Sequence, residues 1–553
     1  MGKKGLSKSN VFKFKSHHRI GAVQAELDSD FLESCYVDTG DIDALLDLSN
    51  TCSLVIGRTG VGKTALLSEL RKTAEHAIDL APENLSIDYI ANSNILQFMH
   101  SSGVNLDVLF RLLWRHVIVV ELLKYKYSIR NETAMDSFKQ AIGGVLKKDK
   151  PKKKAIEYLQ KWGDQFWEET EDRVREVVSS IETELSGGFS SSAFNLQGGA
   201  EAAKKLTETE RREVVNKSKG AIQKIQIKEL GEVVSFLAED VFTDRQKKYF
   251  VLIDRLDENW ASDDIKYKIL RALIEEMRTF RSITTLKLVV AMRLDVVERI
   301  FSEANDTGFQ EEKYRDLMMP LMWSQEHLQE LVEKRINYLL RYKYTSQSIN
   351  FDDIFPGKVG KRKTFEYILQ RTFNRPRDVI TYVNYVLDAS VGKSSITQDV
   401  VRGVEEQYSE DRSRSIIDEW VSIYPNLSVF LPLLDNRQDG FRLGSIDGEE
   451  LMAVANSVVQ RDGYKSDTLG LSAEKFLNGE ISESFFRIEI ARSFYRVGVV
   501  GVKKDSQSPT RWSFEERMIY TNPNVKGNSR IYVHPMMWRR FSIVRSEDCA
   551  KDA

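Results

Sequence analysis

A glycine-rich segment between an apolar run and an amphipathic run places the strongest constraint on the fold of this 553-residue chain. It reads Gly57-Arg58-Thr59-Gly60-Val61-Gly62-Lys63-Thr64-Ala65 and satisfies G-x-x-x-x-G-K-[ST] at every fixed position. Glycines let successive backbone N–H groups turn into one concavity, and a following helix adds partial positive charge. The segment is therefore predicted to bind phosphate, with Lys63 on the β- and γ-phosphates of ATP and Thr64 on Mg²⁺.

A second apolar run, residues 249–253, leads straight into the acidic residue Asp254. The carboxyl ends of parallel strands meet at one edge of a sheet, so Asp254 is predicted to be the second Mg²⁺ ligand. Asp257 and Glu258 are candidates to orient or deprotonate an attacking water. The alternative for all three carboxylates is a strand that ends in an ordinary solvated turn.

Four short apolar runs, each rich in Val, Ile or Leu, predict buried parallel strands of an α/β sheet, which is the fold class of a P-loop NTPase. They are residues 53–56, 86–90, 249–253 and 286–292. Arg293 follows the last run, where a polar side chain could sense a γ-phosphate. A surface ion pair with Asp295 or Glu298 is an equal alternative.

The stretch between Thr64 and residue 249 is much longer than the roughly 30 residues of a βαβ unit, which predicts a helical insertion.

Near the end of the chain, a helical stretch at 484–495 precedes short β-like runs at 499–503, 511–514 and 530–533. That order is typical of a winged helix. The predicted regions are a basic N-terminal segment (1–30), a split ATPase core (31–125 and 246–320), a helical insertion (126–245), a helical lid (321–395) and a C-terminal helical and winged-helix-like region (396–553).

These elements, in this order, resemble the AAA+/STAND group of P-loop ATPases, including its origin-recognition and loader-like members. The chain is most similar to prokaryotic ATPases that share its FLxxCxVDTG (31–40), IDRLDExW (253–260) and RPRD (375–378) segments. The resemblance implies that Arg293 matches sensor 1 and Arg377 matches sensor 2. It also implies ATP binding between sheet and lid, nucleotide-coupled homo-oligomers, and a setting in phage defence. Arg255 stands where AAA+ enzymes usually carry a catalytic Glu, which predicts either slow hydrolysis or the use of Asp257 or Glu258 instead.

Two other functions are compatible with the sequence. In one, the C-terminal module binds nucleic acid and ATP only sets its conformation, as in a regulator or loader; the lysine-rich run 147–154 would suit the same partner. In the other, LSGG at 185–188 marks a coiled-coil ATPase of the ABC/SMC type, although Phe189 and the spacing to Asp254 disagree with that pattern.

Composition removes several classes of protein. Lys and Arg (80) nearly balance Asp and Glu (82), which excludes a histone-like polycation. Three cysteines without a CxxC pair argue against a disulfide scaffold and favour a reducing compartment. No stretch is apolar enough for a membrane span and no secretory signal is evident, so a cytoplasmic location is expected. Motifs of nucleases or proteases do not accompany the ATPase pattern, so an effector is expected to be a separate protein.

Overall fold

The structure is a computed structural model. It describes residues 13–80, 94–128, 199–212, 214–216, 233–256, 263–303, 311–344, 348–503, 505, 507–516, 523 and 525–545. The chain divides into two compact units. The first contains Met1–Gly40, Gly57–Ala65 and Pro320–Ala553, and the second contains Asp41–Ile56 and Leu66–Met319.

A five-stranded parallel sheet, flanked by helices, forms the core of the second unit, which confirms the α/β class. Its strands are β1 (Leu54–Gly57), β2 (His76–Leu80), β3 (Tyr249–Ile253), β4 (Leu286–Arg293) and β5 (Met318–Pro320), in the order β2-β3-β4-β1-β5. Three predicted runs form β1, β3 and β4. The fourth, 86–90, lies outside the described residues.

The apolar composition of β3 and β4 follows from their central position in the sheet. Every residue of β3 is buried, and so are all residues of β4 except Arg293 at its end. Parallel strands that are covered on both faces need continuous rather than alternating apolar side chains. Tyr249 of β3 pairs with His76 of β2 on one side and with Leu286 of β4 on the other. The order therefore places β4 between β1 and β3.

Helices flank the sheet and make up most of the first unit. Within the described residues they are α1 (Ser29–Ser34), α2 (Asp41–Leu46), α3 (Lys63–Thr73), α4 (Asn94–Ser101), α5 (Asp107–Lys126), α6 (Gly199–Lys204), α7 (Asp263–Phe280), α8 (Leu294–Glu303), α9 (Gln325–Tyr344), α10 (Phe351–Ile354), α11 (Thr364–Leu369), α12 (Pro376–Ala389), α13 (Gln398–Gly403), α14 (Glu405–Trp420), α15 (Leu427–Phe430), α16 (Gly448–Val459), α17 (Thr468–Leu477) and α18 (Glu483–Val497).

The first unit ends in a small antiparallel sheet. Its strands β8 (Gly440–Arg442), β9 (Val500–Val502) and β10 (Arg530–Val533) pair in the order β8-β10-β9. Two-residue strands β6 (Lys358–Val359) and β7 (Arg362–Lys363) form a separate ribbon. The predicted helix at 484–495 is present as α18, and the runs at 499–503 and 530–533 contain β9 and β10. The run at 511–514 is not a strand: only Arg511 bridges to Val502, and Ser513–Glu515 is a 3₁₀ turn.

The two arginines inside the apolar helix α5 share a buried partner. Glu276 of α7 is fully buried and accepts hydrogen bonds from Arg111 Nε at 2.8 Å and from Arg115 Nε and Nη2 at 2.8 and 2.9 Å. Trp114 on the same helix donates Nε1–H to the carbonyl of Ile269 at 2.9 Å. These bonds fix how α5 packs on α7 beside the sheet. No helix within the described ranges is long and apolar enough to cross a membrane.

We expect Glu276→Ala to lower the free energy of unfolding of the second unit by about 3 kcal/mol, because it leaves the largely buried guanidinium of Arg115 without its carboxylate partner, whereas the more exposed Arg111 keeps Glu275 at 3.6 Å. Urea unfolding followed by far-UV circular dichroism measures the change. The control is Glu121→Ala on α5, where a surface pair with Lys124 should contribute under about 1 kcal/mol. Equal losses for the two variants would show that the buried pair has no special role.

Candidate functional site

The loop between β1 and α3 has a backbone shape that suits a phosphate group. Gly60 and Gly62 have φ angles of +78° and +102°, in the left-handed region that favours glycine. α3 begins at Lys63, directly after Gly62, so the free N–H groups of its first turn follow the loop immediately. The predicted order of strand, glycine loop and helix is therefore present, and its donors fit an anion.

Lys63 lies back over this loop. Its Nζ donates hydrogen bonds to the carbonyl oxygens of Gly57 at 3.0 Å and Arg58 at 3.2 Å. Thr64 and Ala65 are half-buried in the first turn of α3. The ammonium group is thus held at the loop by neutral carbonyl groups, from which an incoming phosphate could draw it.

Arg377, at the start of α12, packs directly against Gly60. Its backbone N–H donates to the carbonyl of Gly60 at 3.2 Å. A Cβ atom built on Gly60 would lie 2.4 Å from Arg377 Cβ and 2.7 Å from its Nε, so position 60 requires glycine for this approach as well. Burial, and then the neighbouring charge of Arg375, lower the pKa of Arg377, and its Nε has no hydrogen-bond partner among the described residues. An anion bound at the loop would compensate the buried positive charge of Arg377.

Arg375 binds the loop one residue earlier, at Thr59. Its Nη1 donates to the carbonyl of Thr59 at 2.7 Å and to Glu419 Oε2 at 2.9 Å, while its Nε donates to Asp378 at 2.9 Å. Glu419 Oε1 in turn accepts the N–H of Thr59 at 3.3 Å. Both backbone groups of Thr59 are therefore bound by one buried ion pair from the lid and α14.

Arg58 connects the loop to the C-terminal end of α18. Its guanidinium lies 5.2 Å from the ring centroid of Phe373 and 5.4 Å from that of Trp420. Its Nη2 donates to the carbonyl of Arg496 at 2.6 Å and approaches Ser513 Oγ at 3.4 Å. A cation is favourable at a helix C-terminus, where the last carbonyl groups lack intrahelical donors.

A buried histidine packs beside this connection. His534, which follows β10, contacts the rings of Phe373, Trp512 and Phe514 at 5.1, 4.6 and 5.3 Å between centroids. Its Nδ1 accepts the N–H of Met536 at 3.1 Å. Burial lowers the pKa of His534 to about 3, so the neutral ring is the form that this aromatic cluster holds.

The remaining predicted residues belong to the second unit. Asp254 follows β3, and its Oδ1 accepts the N–H of Arg255, a residue with φ of +60°. Arg293, at the end of β4, pairs with Asp295 through bonds of 2.9 and 2.8 Å, one of the alternatives that the sequence left open. Asp257 and Glu258 lie outside the described residues, as do the runs 147–154 and 185–188.

Several loop contacts carry no recognisable sequence signal. Glu419 and Trp420 end α14 without any motif around them. Trp323 donates Nε1–H to the carbonyl of Val61 at 2.7 Å and also lies 3.7 Å from a Cβ built on Gly62. The RPRD segment marks the right region, but as a motif it points to Arg377 and not to the role of Arg375.

One comparison with known proteins matches part of the chain. Residues 326–417 match the FunZ-associated C-terminal helical domain. The matched part includes Arg375, Arg377 and Asp378 and stops just before Glu419. A comparison with curated proteins finds no match. The match covers most of the lid and the helices after it, and it does not extend to the glycine loop.

We expect the first unit to lose stability as the pH falls from 7 to 5. The folded pKa of His534, about 3, lies below the ordinary value near 6.5, so the unfolded chain binds a proton that the folded chain does not. The contribution of His534 to the free energy of unfolding is fully present at pH values above the ordinary value near 6.5. As the pH falls below that value, the contribution decreases by up to about 1.4 kcal/mol per pH unit. Thermal melting followed by tryptophan fluorescence at both pH values measures the loss.

The variant His534→Phe should show a smaller loss over this range, because it removes the titrating group. His17→Gln is the control, since His17 is exposed and should leave the pH dependence unchanged. If His534→Phe melts with the same pH dependence as the wild type, the histidine is not the group responsible.

Proposed function

We propose that this chain is a Mg²⁺-dependent, ATP-binding P-loop ATPase, or a slow ATP-driven switch, of the AAA+/STAND type. One observation carries the proposal: the glycine loop has a phosphate-binding shape, and its backbone is bound by the lid through Arg375 and Arg377. In the same unit Arg58 of the loop binds the C-terminal helix α18. A loop built only as a structural turn would not need charged partners on so many consecutive residues.

In this proposal the loop binds the phosphates, and residues of the loop and the sheet bind the metal ion. Lys63 binds the β- and γ-phosphates, and the N–H groups that begin α3 bind the phosphate oxygens. Thr64 and Asp254 would hold Mg²⁺, which supplies charge neutralisation at the phosphates when bound. Arg377 and Arg293 respond to the γ-phosphate.

Turnover is proposed to be slow. The residue after Asp254 is Arg255 and not a glutamate, so the attacking water depends on Asp257 or Glu258 further along the turn. Slow chemistry suits a switch, because the lifetime of the ATP state then sets how long its signal lasts. The nucleotide would mainly switch the protein between two states and would contribute little mechanical work.

The loop contacts suggest how such a switch transmits its state. A phosphate at Lys63 would compete with the carbonyl groups of Gly57 and Arg58 for its ammonium group, and any resulting movement of Arg58 would act on the end of α18. We propose that this movement exposes surfaces for homo-oligomer formation and for a separate effector protein. The matched FunZ-associated domain supports a FunZ-linked system, with phage defence as the proposed setting.

Replacing Lys63 with alanine should weaken Mg-ATP binding at least about tenfold, because a charged hydrogen bond to phosphate contributes about 1.5–3 kcal/mol. Isothermal titration calorimetry with the full-length protein measures the affinity. Lys72→Ala, on the last turn of the same helix, is the matched control and should bind as the wild type does. Unchanged affinity of Lys63→Ala would remove the proposal.

Oligomer size tests the switch separately from binding. We expect a larger particle by light scattering with Mg-ATP than with Mg-ADP, and no such difference for Lys63→Ala. A particle of one size in both nucleotides, in a protein that does bind ATP, would leave an ATPase but contradict the switch.

A further inference from the structure

The two faces of the C-terminal sheet β8-β10-β9 differ sharply in chemistry. Phe441, Val500, Ile531 and Val533 point to the inner face and are buried. Because side chains alternate along a strand, Arg442 of β8 and Arg530 and Tyr532 of β10 point to the other face. Lys503, one residue beyond β9, continues the same alternation. We call Arg442, Lys503, Trp512, Arg530 and Tyr532 the outer sheet face.

Three cations of the outer sheet face lie close together and are exposed. Arg442 and Arg530 are direct partners in the register of β8 and β10. The guanidinium of Arg530 lies 5.6 Å from the ring centroid of Tyr532, and Lys503 Nζ lies 5.0 Å from the same ring. In the part of the chain that the structure describes, Arg442, Lys503 and Arg530 form no ion pair with a carboxylate.

Two glycines let aromatic rings lie flat on this face. A Cβ atom built on Gly440 would be 2.8 Å from Tyr532 Cε1, and one built on Gly501 would be 2.8 Å from Trp512 Cε3. The rings therefore occupy the space where side chains of β8 and β9 would stand. Tyr532 and Trp512 are both half-exposed.

Helix α18, by contrast, offers few free charges. Arg487 pairs with Glu483, and Arg492 pairs with Glu489 at 2.8 Å, both within the helix. In helix-turn-helix proteins the helix in this position usually reads DNA from the major groove. Here two of its three arginines already form ion pairs, whereas the three cations of the sheet form none with a described carboxylate. Compared with α18, the outer sheet face therefore offers a polyanion more cations that lack a carboxylate partner among the described residues.

We propose that the outer sheet face binds single-stranded nucleic acid. Arg442, Arg530 and Lys503 would bind phosphates, and the rings of Tyr532 and Trp512 would stack with unpaired bases. An acidic peptide would satisfy the cations but would leave the two flat rings unused. A duplex would present phosphates but keep its bases stacked away from the rings. Rings alternating with cations match the base and phosphate of a single strand.

The same face reaches the glycine loop through a chain of ring contacts. Trp512 lies 6.1 Å from Phe514, Phe514 stacks on Phe373 at 4.7 Å, and Phe373 lies 5.2 Å from the guanidinium of Arg58. All of these residues belong to the first unit. Nucleic acid on Trp512 is therefore placed to influence the loop, although binding itself requires no nucleotide.

Fluorescence anisotropy of the full-length protein without nucleotide tests the proposal. The probes are fluorescein-labelled oligo(dT), oligo(U) and a mixed-sequence DNA duplex, each about 20 nucleotides long, titrated at several salt concentrations. We expect both single strands to bind more tightly than the duplex, and their relative affinities show which of these two strands fits the face better. Absence of single-strand binding, or preference for the duplex, overturns the proposal.

The variant Arg442→Glu/Arg530→Glu should weaken single-strand binding at least about tenfold and reduce the slope of log K against log salt by about 1.4, for two phosphate contacts. Lys358→Glu/Lys361→Glu makes the same charge change at exposed lysines outside this face and should bind as the wild type does. Tyr532→Leu keeps the cations and should weaken binding about fivefold or more without changing the salt slope. Each variant is accepted only if its melting temperature matches the wild type. Equal losses for the Lys358/Lys361 control, or full binding by both face variants, contradict the proposal.

Discussion

Arg375 carries a buried positive charge with one partner nearby in the sequence and two from distant parts of the chain. Asp378 and Glu419 bind its guanidinium, and the carbonyl of Thr59 accepts a further bond from it. Asp378 also accepts the N–H of Phe373 at 3.0 Å and Arg412 Nη1 at 3.2 Å. Burial opposes the charge of Asp378, but Arg375 and Arg412 hold its pKa below the usual range. Two arginines and two carboxylates balance in this buried cluster, so removing any one of the four would leave an uncompensated charge.

This requirement explains why the glycine loop belongs to the same compact unit as the lid. The lid helix α12 starts with Pro376, which fixes the backbone where Arg375 ends its extended segment. Arg377, two residues on, is then brought against Gly60. The ion pair does not contribute large net stability, since desolvation offsets much of its attraction. Its effect is geometric, because only one arrangement of loop, α12 and α14 pairs all four charges.

The sequence was a good guide to the sheet, for physical reasons that also explain its failures. β3 and β4 are covered on both faces, so their continuous apolar runs are easy to recognise in the sequence. The predicted runs did not include β2 (His76–Leu80), which is only half-buried, or β5, which contains Pro320. The glycine loop was predictable because phosphate chemistry demands particular residues at fixed spacing. Glu419 was not, since it meets Thr59 across 360 residues and no local pattern encodes that encounter.

Arg58 marks the difference between what the motif requires and what this chain adds. Its position is variable in G-x-x-x-x-G-K-[ST], so phosphate binding does not need an arginine there. A long cation at the loop would be costly to bury without a reason, yet only 7% of Arg58 is exposed. The reason lies at the far end of its side chain, where the Arg496 carbonyl and the Phe373 and Trp420 rings surround the guanidinium. The general part of the site is therefore carried by the glycines and Lys63. The part that this chain adds is Arg58, which binds the C-terminal end of α18 and, through Phe373, contacts the ring cluster beside the C-terminal sheet.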